Sequence, residues 1–366
     1  MEAMQHPEPD LSPFFCPRSV VVYGATDDAD KTGGRIFSLL GRSGLPVYPI
    51  HPSLTRIQQS PVYRTALDLP EQPDLAVLAV AARHCEQAVR DALAGGARGV
   101  IVVASGFGET GPPGMELERR LTRLARDRGA RLLGPNTLGV FVPHKRLDTI
   151  FVEHGDRSLL AGGSIAVISQ SGSVGVEALG YASASGFGLR AFVGLGNKAD
   201  LNELDMAAWF ARDPGARVLG FYLEDLADGR QFLKQVVRIA LEKPVVILKG
   251  GRTEAVAKAV ASHTGSLAAA SRLGEKPGGS LGSTGRGTTR IFAIFTRSAP
   301  RARPWKGEGS RVAVLTPARG SGVMAVDCLA SQEGPARSKW LISPPKPRPG
   351  CAGSFSPSLP PEIPWT

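Results

Sequence analysis

A histidine set among small residues is the side chain here best suited to group transfer. His263 lies in Ser262-His263-Thr264-Gly265, with hydroxyls on both sides and a glycine two residues on. A neutral imidazole nitrogen accepts a phosphoryl group near neutral pH, and small neighbours let a bulky anion come close. Taken alone, the same residues also read as a histidine capping a helix C-terminus. Two further stretches bear on the choice. Ser169-Gln170-Ser171-Gly172-Ser173-Val174-Gly175 leads from an apolar run into a helical pattern. That puts Ser171, Gly172 and Ser173 at a helix N-terminus, where N–H groups and the macrodipole favour an anion. The turn looks like a GxSxG nucleophile elbow, but Ser169 stands where glycine is required and no Asp–His order follows, which argues against a serine hydrolase. Glu224 and Asp225 stand just past another apolar run. A carboxylate there orients an imidazole. The other reading of Glu224 is an acid at the N-terminus of the helix that opens near Asp228.

The elements that must position these groups are legible as alternating runs. Strands are expected over 19–23, 47–50, 75–80 and 99–104, with helical patterns over 85–94 and 115–128 between them. A second block has strands over 164–168, 190–195, 217–223 and 244–248. Its helices run from the SQSGSVG turn to about 185, from about 201 to 212, and from 229 to 241. Short apolar strands alternating with helices indicate parallel, doubly wound sheets. Ligands of such sheets bind beyond the carboxyl ends of the strands. The glycine-bearing or polar loops 24–33, 51–52, 105–111, 134–139 and 194–205 all fall there. The first of them is not GxGxxG, and Pro49-Ile50-His51-Pro52 replaces the ribose-binding acid expected after the second strand, which argues against NAD. Backbone amides at Gly24, Ala25 and Thr26 suit a phosphate; a plain strand-to-helix turn is the alternative. His263, the Ser171–Ser173 turn and Glu224 are thus expected at one edge of one sheet.

Bulk properties exclude several classes. A chain of 366 residues holds about two or three domains, each able to bury its own core. Cys16, Cys85, Cys328 and Cys351 lie far apart and match no metal or disulfide spacing. The opening MEAMQHPEPDLSPFF is not a signal peptide, and no apolar run is long enough to span a bilayer. A cytoplasmic protein with no membrane partner is expected. The net charge is +10, yet residues 271–366 carry 14 Lys and Arg against 5 Asp and Glu, leaving +1 for residues 1–270. The basicity belongs to a Pro-, Gly- and Ser-rich tail without aromatic interleaving, which argues against nucleic-acid binding.

Five ordered motifs carry a resemblance: GPNTLG at 134–139, SQSGSVG at 169–175, GLGNKADLNELD at 194–205, YLEDLADGRQF from 222, and KPVVILKGGR…SHTGSLA from 243. Over residues 18–269 the chain resembles the NDP-forming (ADP-forming) acyl-CoA synthetases, relatives of the succinyl-CoA synthetase alpha subunit. The resemblance implies an α/β protein: a Rossmann-like CoA-binding domain, then a flavodoxin-like parallel-sheet ligase domain. His263 falls on the family's phosphorylated histidine and Glu224 on the acid that orients it. Ser171, Gly172 and Ser173 fall on the turn that holds the phosphoryl group. Gly24, Ala25 and Thr26, with Lys31 and Pro52, fall on the CoA site, and Asn136 on the loop near the thioester. The implied reaction interconverts acyl-CoA, phosphate and NDP with acid, CoA and NTP through a phosphohistidine. A CoA- or acyl-CoA-binding regulatory module, or a decayed enzyme, is the alternative.

The chain also departs from the family. Thr137 stands where cysteine is common, Ser53 where lysine is frequent, and Ala81-Ala82 where proline is usual. No ATP-grasp domain is legible, so NTP, NDP and Mg2+ are expected in a partner ATP-grasp beta-type subunit; a homo-oligomer is also compatible with this architecture. The expected organisation is an N-terminal tail (1–17), a CoA-binding domain (18–150) and a ligase domain (160–270). A low-complexity or frame-disrupted linker (271–309), a remnant of a third ligase domain (310–332) and a disordered Pro-rich tail (333–366) follow.

Overall fold

The computed structural model describes residues 9–153, 162–186, 188–250, 313–314 and 341–342. Helix α1 (Ser12–Phe15) precedes β1 (Val20–Tyr23), α2 (Thr32–Leu40), β2 (Val47–Ile50) and a short ladder of β3 (Arg56–Ile57) with β4 (Ser60–Pro61). Then come β5 (Leu75–Leu78), α3 (Ala82–Ala94), β6 (Gly99–Val102), α4 (Pro112–Asp127) and β7 (Arg131–Leu133). The first sheet runs β2-β1-β5-β6-β7, parallel throughout. Its three inner strands are buried at every position. Covered on both faces, they need no polar alternation, and they read as unbroken apolar runs.

The second sheet is built from β8 (Val140–Val142), β9 (Leu147–Asp148), β10 (Ile165–Ser169), β11 (Leu189–Gly194), β12 (Val218–Leu223) and β13 (Val245–Lys249). Helices α5 (Gly172–Ser185), α6 (Glu203–Arg212) and α7 (Gly229–Ala240) connect its parallel strands. The order is β13-β12-β10-β11-β8-β9. The β8–β9 hairpin lies inside the 18–150 stretch expected to form the CoA-binding domain, yet it extends the second sheet. Val140 and Phe141 pair antiparallel with Val193 and Phe192, and β9 pairs with β8. The hairpin covers an edge of β11 that would otherwise offer unpaired backbone groups.

The two sheets share one apolar interior. Val22 and Ile101 of the first sheet, Val140 and Val142 of the hairpin, and Ala166, Val193 and Phe221 of the second belong to a single buried cluster. The stretch expected as an N-terminal tail is packed from Leu11 onward. Phe14 and Phe15 are buried, and the Phe15 ring lies 5.4 Å from Trp209 and 5.1 Å from Phe210 of α6. Two adjacent phenylalanines bury too much apolar area to stay in water, so α1 closes the seam between the units. Among the described residues no helix is long and apolar enough to cross a membrane. The stretches 271–309, 310–332 and 333–366 lie outside the described residues, except for a two-residue parallel ladder of β14 (Ala313–Val314) with β15 (Leu341–Ile342).

An ion pair pins the entry to β1. Asp74 accepts from the Arg18 backbone N–H at 2.9 Å and from its guanidinium at 2.9 and 3.0 Å. Those hydrogen bonds hold the Asp74 carboxyl down from 3.8 to about 2. The stability it contributes is complete above about pH 4 and is lost as the pH falls through about 2. Asp74→Asn is expected to cost about 1–2 kcal/mol at neutral pH, discounted because the Arg18 side chain is largely exposed. Thermal melts of both proteins should differ at pH 7 and converge near pH 2.

Candidate functional site

The carboxyl ends of β1, β2, β5 and β6 point to one edge, and the expected CoA residues gather there. Gly24 leaves β1 with φ +82°, against Ala79 at the end of β5; a Cβ on it would sit 2.5 Å from the Ala79 carbonyl oxygen. Ala25 is fully buried behind the turn. The start of α2 presses onto the same turn, because Gly33 has no side chain to hold it off. No side chain caps α2, and Lys31, directly before its first turn, is 70 % exposed and paired with Asp28 at 3.4 Å. Amides, an uncapped helix start and an ammonium group therefore converge, an arrangement suited to a phosphate. Pro52 follows β2 in a loop organised by His51, whose Nδ1 accepts from the N–H groups of Ser53 and Leu54, both at 3.2 Å. Arg56 donates to the Gln59 carbonyl at 2.6 Å, and the cation that reaches Ser53, where the lysine is missing, is Arg64, donating to the His51 and Ser53 carbonyls at 3.1 and 3.4 Å.

Asn136 sits at the seam. Its φ is +57°, its N–H reaches Ala104 O at 2.9 Å, and its Nδ2 donates to Asn197 Oδ1 at 3.2 Å. Asn197 Nδ2 donates in turn to Glu109 at 2.5 Å and Glu118 at 2.6 Å. Burial pushes the Glu118 carboxyl up, with the nearby Glu109 charge adding to it and the Asn197 bond opposing it. Thr137 is buried and bonds across the seam to Gly194 O at 2.5 Å, so a hydroxyl there serves packing of the two units.

On the second sheet, β10 turns into α5 through Gln170 and Ser171. Ser171 has extended backbone and does not cap the helix; its Oγ instead lies 3.2 Å from Ser173 Oγ. Hydroxyls and helix N–H groups of Ser171, Gly172 and Ser173 thus face the same end of the sheet. Glu224 follows β12 at that end and is 6 % exposed. Gln170 ties the two together, with Oε1 accepting from Glu224 N at 2.8 Å and Asp225 N at 3.1 Å and Nε2 donating to Asp225 Oδ1 at 2.7 Å. Tyr222 Oη contacts Glu224 Oε1 at 3.3 Å. Glu224 is not the cap of α7: Asp228 is, accepting from Gln231 N at 2.9 Å. His263 lies outside the described residues. The strand that leads toward it, β13, ends beside β12 at the same edge, where Gly250 N bonds Leu223 O at 2.9 Å. Gln170, Asn197, Lys198 and Glu109 were not singled out from sequence, although each lies in a loop that was.

Comparison with known proteins agrees with this architecture. Residues 18–143 match the CoA binding domain family, and residues 162–276 match the succinyl-CoA ligase like flavodoxin domain. The alpha subunits of ADP-forming acetate–CoA ligases I and II of Pyrococcus furiosus are 34 % and 32 % identical, over 88 % and 87 % of this chain and 70 % and 68 % of theirs. The dinucleotide-forming acetyl-coenzyme A synthetase 1 of Ca. Korarchaeum cryptofilum, solved with phosphate and ADP, superposes with a TM-score of 0.66. It is 34 % identical over 88 % of this chain and 68 % of its own. With both domains matched in order, the chain belongs to the ADP-forming acyl-CoA ligases, a family of acid–thiol ligases, as an alpha-type chain.

Proposed function

We propose that this chain is the phosphoryl-accepting half of an ADP-forming acyl-CoA ligase whose nucleotide site lies on a separate ATP-grasp beta-type subunit. In this reading Gly24, Ala25, Thr26 and Lys31 hold a CoA phosphate, Pro52 borders it, and the Asn136 loop flanks the thioester. Phosphate attacks the acyl-CoA carbonyl, the C–S bond breaks, and CoA leaves as acyl phosphate forms. An imidazole nitrogen of His263 then attacks phosphorus, and the acid leaves with the P–O electron pair. Phosphohistidine passes the group to the nucleoside diphosphate, with Mg2+ expected beside it on the partner. Phosphoryl transfer needs positioning and charge stabilisation above all. The turn at Ser171, Gly172 and Ser173 supplies donors for the phosphoryl oxygens. The Glu224 carboxylate accepts from the other imidazole nitrogen, fixing the tautomer and steadying the positive charge.

The observation that carries this reading is the Gln170 bridge, which locks a buried carboxylate to an uncapped helix N-terminus at one sheet edge. A structural acid has no need of an anion site beside it. The test is phosphohistidine formation. The full chain, assembled with an ATP-grasp subunit, is given γ-labelled ATP and Mg2+, beside His263→Ala. Acid-labile, base-stable label on the parent chain alone is expected. Equal label on the variant would remove His263 from the mechanism. No label on either, with CoA still bound, would leave a CoA-binding module.

A further inference from the structure

Lys198 is a buried cation that the chemistry above does not use. It lies in the loop between β11 and α6, its side chain 5 % exposed, with its backbone at φ +58°. That left-handed conformation is uncommon for a residue with a long side chain and persists only where the surroundings fix it. Its ammonium donates to Glu203 Oε2 at 3.0 Å and to the Asp225 carbonyl at 3.2 Å, and it is paired with Asp225 Oδ1. Glu203 is wholly buried, and its other oxygen accepts from Ala227 N at 2.6 Å.

These bonds define the turn that follows Glu224. Gln170 holds the N–H groups of residues 224 and 225, Lys198 holds the carbonyl of 225, and Glu203 holds the N–H of 227. Four backbone groups on three residues of the stretch 224–227 are thus fixed by three side chains from outside it. A carboxylate on a turn so held has little freedom of direction, which is what an imidazole partner demands. Charge leads to the same residue. Asp225 and Glu203 bring two carboxylates close to a site that must receive an anion, and like charge there opposes it.

We infer that Lys198 is a positioning residue for phosphoryl transfer: it fixes the turn that aims Glu224 and neutralises the two carboxylates behind it. This rests on the His263–Glu224 reading above and goes beyond it by naming what holds Glu224. Lys198 touches neither substrate nor the reacting atoms.

The test is the rate at which labelled acetyl phosphate phosphorylates the full chain in complex with its ATP-grasp subunit. Lys198→Met is expected to slow labelling roughly 10-fold to 100-fold, the range for a reacting group displaced by about an ångström. Adding Asp225→Asn to it removes one uncompensated charge and is expected to restore about 10-fold. A packing role predicts no such gain, because methionine already keeps the apolar stem and Asp225→Asn restores none of the bonds that the ammonium made. Lys198→Gly suits the left-handed backbone and removes the cation without strain, so it serves if the methionine variant does not fold. A rate within twofold of the parent for Lys198→Met, or a double variant as slow as the single, overturns the inference. Label that persists in His263→Ala, or fails in the parent, overturns the phosphohistidine reading beneath it instead.

Discussion

Gly33→Ala is expected to weaken CoA binding about 100-fold and to lower stability by about 2–3 kcal/mol. A Cβ at Gly33 would lie 1.9 Å from the Gly24 carbonyl oxygen and 2.8 Å from its carbon. Both are backbone atoms of the turn, so no side-chain rotation relieves the clash. Either α2 backs away or the turn is pushed into Ala79, against which Gly24 already packs. The needed shift is about 1 Å, since carbon and oxygen do not approach closer than roughly 3 Å without strain. Helix start and turn are the two halves of the expected phosphate cradle, and separating them breaks the convergence that favours the anion. Gly44→Ala is the control. It has φ +83° with nothing within 4 Å of an added Cβ, so it should cost about 1–2 kcal/mol from the backbone alone and leave CoA untouched. Calorimetric titration with CoA, with a thermal melt of each variant, separates the two. A Gly33→Ala protein that binds CoA within threefold of the parent would show that the turn is not the phosphate site.

Much of this architecture is legible in the sequence because parallel strands buried on both faces write themselves as apolar runs. Val47–Ile50 is found with its expected bounds, and the strands at β1, β5, β6 and β10 to β13 differ at their ends by a residue or two. The chemistry at the second sheet is legible for a related reason. Ser171 and Glu224 each follow a strand of the same parallel sheet, so topology alone brings them to one end. What sequence does not carry is pairing between distant segments. The β8 strand is three residues long, and its partner β11 lies some fifty residues on, so nothing local assigns it to the second sheet. Helix α1 was hidden in the same way. Its two phenylalanines sit among prolines and acids, and only distant partners explain their burial: Gly99 of β6 beside Phe14, and Trp209 and Phe210, nearly two hundred residues later, against Phe15. Lys198 and Gln170 have composition typical of a polar loop, and their roles emerge only when the Glu224 turn is folded against them.

Asp200→Ala is expected to lower stability by about 3–4 kcal/mol and to make the two units unfold separately. Asp200 belongs to the second unit, in the loop before α6, and its side chain is wholly buried. Its partners belong to the first. Arg126 Nε lies 2.7 Å from Oδ1, and Arg131 Nε and the Leu132 N–H lie 2.9 and 2.8 Å from Oδ2. Alanine leaves the largely buried Arg131 with only Asp205, at 3.5 Å, and leaves the Leu132 N–H buried beneath it. Removing one member of a buried ion pair costs more than the pair contributes, because the remaining charge stays desolvated. An N–H without an acceptor adds about 1–3 kcal/mol of its own, and the sum is a large part of the roughly 5–15 kcal/mol that holds a domain together. The loss falls on the seam rather than inside either sheet, so it should uncouple the units before it unfolds them. Trp209 reports on that seam through its contact with Phe15. With Trp305, Trp340 and Trp365 replaced by phenylalanine so that Trp209 alone emits, urea unfolding followed by its fluorescence should precede the far-ultraviolet transition in the Asp200→Ala variant and coincide with it when Asp200 is kept. Asp200→Asn keeps one acceptor without the charge and should fall between the two. Coincident transitions with less than 1 kcal/mol of change would mean that the shared apolar interior and the remaining hydrogen bonds across the seam, such as Asn197 N to Pro135 O and Thr137 to Gly194 O, hold the units in register without Asp200.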